Sequence, residues 1–150
     1  MDNKRALHLF TKTVIDIMFF SGIIVCGLVP YLIYKVSYFV LMLETYPIHM
    51  TAVLMLSGIL ALIILWELRR IFNTLVKTNP FTLENVKSLR IMARASFAIS
   101  VIYIAKCIFW FTLATVLLIM VFAIAGLFCL VLADVFKQAV AYKEENDLTV

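Results

Sequence analysis

Long apolar runs separated by short polar stretches set the plan of this chain. The first run extends from about Thr13 to Tyr34, with Asp16 near its start and Pro30 near its end; the second extends from about Met50 to Leu68. From Ile91 to Phe136 the sequence is almost continuously apolar, interrupted only by the charges of Arg94, Lys106 and Asp134. A bilayer core about 30 Å thick is crossed by roughly 20 apolar residues of helix. One helix over this last stretch would reach roughly 70 Å, so it must fold back once. The least costly place to turn is Lys106–Thr115, where Lys106 and Trp110 can both sit at the membrane surface. The pattern predicts an all-α integral membrane bundle of four transmembrane helices, at about 13–34, 50–68, 91–110 and 114–136. A polar loop at 69–90 joins the second and third spans, and a tail follows at 137–150.

Helical periodicity continues outside these spans. Leu68, Ile71, Phe72, Leu75 and Val76 fall at i, i+3, i+4, i+7 and i+8, opposite Arg69, Arg70, Asn73, Thr74 and Lys77, which predicts that the second helix runs on. Asn79-Pro80 ends it, because the residue before a proline is driven out of helical geometry. Thr82 is a good N-cap for the next helix, with Glu84 in its first turn and Phe81 and Val86 spaced as a hydrophobic staple. Val135, Phe136, Ala139 and Val140 extend the last span in the same way, leading to the acidic tail Glu144–Val150. These amphipathic pieces either pack on one another and on lipid headgroups, or form a docking surface for a partner helix.

Composition narrows the class. Of 150 residues, 65% are hydrophobic and 15% charged, against about 45–50% and about 25% in soluble domains. A soluble fold of this size could not hide that much apolar surface, so lipid is the solvent for most of the chain. Cys26, Cys107 and Cys129 lie in apolar runs without metal-binding or redox spacing and read as packing residues. Gly22, Gly27, Ser57, Gly58, Ser100 and Gly126 read as points of helix contact. The segment Lys35–His49, rich in Tyr, Phe, Leu and Met, reads as a short interfacial piece that leaves no room for an external domain.

The net charge is +4, and its placement is informative. Eleven of the 13 Lys and Arg fall on one side of the predicted membrane, leaving only Lys35 and Lys106 for the other. Positive charge stays in the cytoplasm, so both termini and the central loop are expected there. No small-x-small cleavage pattern follows the first span, which is expected to remain as an anchor.

Asp16, Glu67 and Asp134 lie at similar depth near the predicted inner face, and Arg94 enters the third span at that level. Intramembrane charges are costly and pair or face a cavity; the expected partners for Arg94 are Asp134 or Asp16. This layer is either a structural set of ion pairs or a proton- or ligand-responsive switch. Catalysis finds no support, because hydrolase, zinc-protease and phosphate-loop motifs are missing and His8 and His49 fall on opposite sides of the membrane. A cofactor, a metal and direct nucleic-acid binding are not expected, while homo-oligomerisation is left open.

The stretch Asn79-Pro80-Phe81-Thr82-Leu83-Glu84-Asn85-Val86-Lys87-Ser88-Leu89-Arg90, with the terminal Glu145-Asn146-Asp147-Leu148-Thr149-Val150, resembles the YoaS-like family of bacterial four-span membrane proteins, domain of unknown function family 2975. The likeness follows the whole chain in span order. It implies a gene neighbour encoding a very small helix-turn-helix repressor of the Cro/CI type, and so a non-enzymatic membrane partner that restrains or senses for a transcription factor. The candidate docking residues are Asn79, Phe81, Leu83, Val86, Leu89, Arg90, Glu145, Asn146, Asp147 and Leu148. The alternative class is a small transporter, channel or immunity protein against a membrane-active peptide.

The charge distribution makes a direct prediction about topology. Reporter fusions or engineered cysteines at Lys77 and Val150 should report the cytoplasm, and one at Glu44 the outside. Labelling of position 77 only from outside would reverse the orientation.

Overall fold

The computed structural model describes residues 2–37, 47–77 and 81–148. Four helices contain nearly all of them: α1, Asp2–Ser37; α2, Pro47–Lys77; α3, Leu83–Phe109; and α4, Leu113–Leu148. No strand occurs among the described residues. All four are long and apolar enough to cross a membrane. At 31 residues, α2 extends roughly 46 Å, and α1 and α4, at 36 residues each, roughly 54 Å, so each outreaches the hydrocarbon core. The extra turns carry the polar residues at the ends.

Local chemistry sets the boundaries. α2 opens on Pro47, whose fixed φ suits a first helical turn and whose missing N–H has no partner to lose there. α3 begins after Thr82, which is extended (φ −132°, ψ 149°) and accepts the Asn85 N–H on its hydroxyl at 3.3 Å. Glu84 stands in that first turn, where it meets the positive end of the helix dipole. Phe81 lays its ring on Phe136 of α4, with centroids 5.2 Å apart.

The turn between α3 and α4 falls at Trp110–Thr112, inside the expected Lys106–Thr115 window, and no glycine or proline makes it. Trp110 adopts extended geometry while its N–H still donates to the Lys106 carbonyl at 2.9 Å. The Thr112 carbonyl then accepts the N–H groups of Thr115 and Val116 at 2.9 and 3.3 Å. Lys106 Nζ donates to Thr115 Oγ1 at 3.0 Å, and the Thr112 and Thr115 hydroxyls meet at 2.6 Å. Backbone carbonyls of Lys106 and Thr112 thus take the N–H groups of the turn, while its lysine and threonine side chains satisfy one another.

The helices pack in sequence order. α1 meets α2, α2 meets α3 and α3 meets α4, all antiparallel; among the described residues α1 meets neither α3 nor α4. The bundle is therefore open along one side. A groove of about 370 Å³ there is lined by residues of all four helices, with the Ser57–Tyr103 pair in its wall. The termini and the α2–α3 link share one end, called here the termini-bearing end.

α3 is the most buried helix. Near the termini-bearing end, Val86, Leu89, Met92 and Ala93 of α3 form the core with Ile71 of α2 and Cys129 and Ala133 of α4. Further along, Ile99 is fully buried, Ser100 Oγ donates to the Ile119 carbonyl at 3.2 Å, and Tyr103 Oη meets Ser57 Oγ at 3.4 Å. Lipid tails remove the usual hydrophobic drive between helices, so close van der Waals fit must hold them. Three glycines supply it. Gly22 faces Leu62 and Leu65, Gly58 faces Cys26, and Gly126 faces the Phe97 ring, whereas Gly27 meets nothing nearby. Among its described side chains α1 otherwise presents most to lipid, with Ile15 and Ile33 buried.

The Gly58 contact can be tested by cross-linking. A Cβ at position 58 would lie 4.0 Å from Cys26 Cβ, within the roughly 3.5–4.5 Å that a disulfide spans. With Cys107 and Cys129 replaced by alanine, Gly58→Cys should oxidise with Cys26 and lose both free thiols to labelling. Cys26→Ala with Gly27→Cys in the same Gly58→Cys background should cross-link far less. Equal cross-linking would mean that α1 and α2 slide.

Candidate functional site

Polar and charged side chains collect at the termini-bearing end of the helices. Arg69 Nε of α2 donates to Asp16 Oδ1 of α1, and both side chains are about a quarter exposed. The Arg69 guanidinium also lies 5.5 Å from the ring centroids of both Phe19 and Phe20, a cation–π seat that holds its plane against α1. Arg70 of α2 reaches Glu84 of α3 at 3.9 Å, and Arg90 of α3 reaches Asp134 of α4 at 3.9 Å. One ion pair therefore bridges each neighbouring pair of helices: α1 to α2, α2 to α3, α3 to α4. The two longer pairs are well exposed, and such pairs contribute only about 0–1 kcal/mol each. Asp16–Arg69, the least exposed, is the least screened by solvent of the three.

The expected charge layer exists in depth but not in pairing. Facing pairs Ser57–Tyr103 and Thr74–Asn85 fix the antiparallel register of α2 and α3, which sets Glu67 level with Met92 and Ala93 and within about a turn of Asp16, Arg94 and Asp134. Arg94, however, is exposed and forms no ion pair among the described residues. It cannot meet Asp16, because α1 touches α2 and not α3. Asp134 is taken by Arg90, one turn earlier on the same helix. Residue number gives depth along a helix, while pairing also depends on which helices are neighbours.

Glu67 stands apart from these pairs. It is 7% exposed and its Oε2 has no hydrogen-bond partner. One turn along the core, Ser88 Oγ is likewise buried without a partner. Asn85, fully buried, accepts from the Thr74 hydroxyl at 2.9 Å. This polar seam between α2 and α3 was visible in sequence only as scattered Ser, Asn and Thr; their i, i+3 spacing on α3 (Asn85, Ser88) is the signal that could have revealed it.

The candidate docking residues divide. Val86 and Leu89 belong to the core, at 5% and 6% exposed, and so are closed to a partner. The amphipathic stripe that suggested docking is satisfied within the fold, against Ile71 of α2 and Ala133 of α4. Phe81, Leu83 and Arg90 remain open at the surface, as do Glu145 and Asn146 on α4. α4 carries the helix through Asp147 to Leu148, so the tail from Lys137 onward is a continuation of the span. Asn79 and the middle of the Lys35–His49 segment lie outside the described residues. Among the described residues no group of three or more His, Cys, Asp or Glu is placed to hold a metal ion.

Four antiparallel spans with their charge chemistry gathered at one end define a multi-pass membrane protein. The chain belongs to a family of proteins of unknown function, DUF2975, which matches residues 28–150. The match leaves out the start of α1, including Asp16. No curated protein and no solved structure matches the chain.

Double mutants test the least exposed pair. Arg69→Leu should lower folded yield and thermal stability in detergent by stranding Asp16. Adding Asp16→Leu should restore part of the loss, with a coupling of about 0.5–3 kcal/mol. Arg94→Leu should change stability by no more than about 0.5 kcal/mol. Additive losses at Asp16 and Arg69 would show that the pair does not act as one unit.

Proposed function

We propose that the protein is a non-enzymatic regulatory partner that holds a small helix-turn-helix DNA-binding protein of the Cro/CI type at the cytoplasmic membrane. The termini-bearing end is the docking end, and the positive-inside distribution of Lys and Arg supports its placement in the cytoplasm. The observation that carries this reading is the unbroken run of α4 to Leu148. It projects roughly 20 Å past Asp134, with exposed Glu144 and Glu145 on its last turns.

Beside its base stand Phe81 and Leu83, 42% and 56% exposed at the entry to α3. A helix bearing acidic groups, next to a small apolar ledge, fits a basic protein surface through charge and a few buried side chains. DNA-binding proteins present such surfaces because they neutralise phosphates with Lys and Arg. The membrane protein would then compete with DNA for the same face. The likeness to YoaS-like proteins supports the same partner.

Deleting Asn146–Val150 should leave insertion and folded yield intact, because Val140 is the last buried residue among the described side chains of α4. It should release the partner to the cytoplasm and change transcription of its targets. Unchanged localisation and transcripts at normal protein levels would overturn the docking reading and favour the transporter, channel or immunity class.

A further inference from the structure

At the termini-bearing end α2 carries a cleft that the docking reading does not use and that two arginines of the ion-pair layer, Arg69 and Arg70, help to line. It encloses about 310 Å³ and is lined by Trp66, Arg69, Arg70 and Asn73. These residues fall at i, i+3, i+4 and i+7, one face of a single helix. The groove lined by all four helices lies elsewhere, and shares none of these residues.

The chemistry of the lining is one-sided. Arg69 commits Nε to Asp16, and its terminal nitrogens make no hydrogen bond among the described residues. Its guanidinium plane is already held by Phe19 and Phe20, so little side-chain entropy is lost on binding a ligand. Arg70 is held only loosely, 3.9 Å from a Glu84 that is two-thirds exposed. The side chains of Asn73 and Trp66 also make no hydrogen bond among the described residues. Two guanidinium groups, an amide and an indole N–H thus converge with most of their donors unspent. A ligand of complementary chemistry is an oxyanion, and a forked guanidinium matches phosphate oxygens in particular.

Depth adds a second constraint. The continuous apolar run of α2 gives way to charge at Glu67, Arg69 and Arg70, and Trp66, half exposed with its ring 5.6 Å from Phe19, stands beside that step, as aromatic side chains do at the membrane–water boundary. Phospholipid phosphates lie at that level. Basic pockets beside spanning helices are known hosts for anionic headgroups.

We propose that the Trp66–Arg69–Arg70–Asn73 cleft is a binding site for a phosphate group, supplied by the headgroup of an anionic membrane phospholipid. The phosphate sits between the two guanidinium groups, drawing Arg70 from Glu84, while Asn73 donates to a remaining oxygen.

Trp66 is its own reporter. The chain has two tryptophans, so Trp110→Phe leaves Trp66 as the only one. The protein, purified in a non-ionic detergent, is titrated with short-chain phosphatidylglycerol, with short-chain phosphatidylcholine and with inorganic phosphate, reading Trp66 emission. The expected result is a saturable change with phosphatidylglycerol at lower concentration than with either of the others. Arg70→Gln and Asn73→Leu should each raise half-saturation, Arg70→Gln by about tenfold or more. Arg69→Lys keeps a cation beside Asp16, protecting the fold while removing the fork, and should weaken binding as well. Arg90→Gln removes an equally exposed positive charge outside the cleft and should leave binding unchanged.

A saturable response to inorganic phosphate at equal or lower concentration, still lost with Arg70→Gln, would keep the phosphate site and overturn its assignment to lipid. A response that fails to saturate, or one that Arg90→Gln weakens as much as Arg70→Gln, would overturn the site itself.

Discussion

Hydrocarbon satisfies no backbone N–H or C=O, and every feature of this fold answers to that constraint. Each span must close its own hydrogen bonds, which leaves helix as the available form. Pro30 is the one interior breach, depriving the Cys26 carbonyl of its usual N–H partner. It falls near the end of α1 away from the charge layer. The α3–α4 turn meets the same constraint at the opposite extreme of α3. There Lys106, Thr112 and Thr115 bond to backbone and to one another across three non-helical residues.

Once backbones are satisfied, lipid offers no hydrophobic reward for helix association, so fit and residual polarity decide the neighbours. Gly22, Gly58 and Gly126 leave room for the side chains of Leu62, Cys26 and Phe97, and the seam Ser57–Tyr103, Thr74–Asn85 and Ser100–Ile119 stitches α3 to its neighbours. α3 collects most of these contacts. Among the described residues α1 is held by α2 alone, through a glycine-lined contact face and the Asp16–Arg69 ion pair. An arrangement of this kind places the greatest order at α3 and the least constraint at α1, and it leaves the groove between the outer helices open.

The charged layer links this architecture to function. Its three ion pairs each tie consecutive helices, so they act as a belt across the termini-bearing end rather than as a cluster. Outside the belt, α4 extends as a helix and Phe81 and Leu83 form a ledge, while the α2 cleft is lined by the belt's own Arg69 and Arg70 with donors unspent. Docking of a basic protein at the acidic end of α4 and binding of a phosphate beside α2 use different residues on different helices. The two would communicate only through α3, to which Arg70–Glu84 connects the cleft and Arg90–Asp134 connects α4.

Much of this was legible in the residues alone. Run length required four spans, Thr82 marked the entry to α3, and the unbroken apolar stretch forced a turn near Trp110. These are properties of one helix at a time, fixed by length, capping chemistry and backbone geometry. The depth of Asp16, Glu67, Arg94 and Asp134 was equally legible, because a helix rises a constant distance per residue. Partners were not. Asp16 meets Arg69 instead of Arg94, and Val86 and Leu89 turn inward instead of toward a partner, because those outcomes depend on helix order and on rotation about each axis. An amphipathic stripe looks the same whether a neighbouring helix or a second protein covers it. Only the packing of α2 and α4 around α3 decided which.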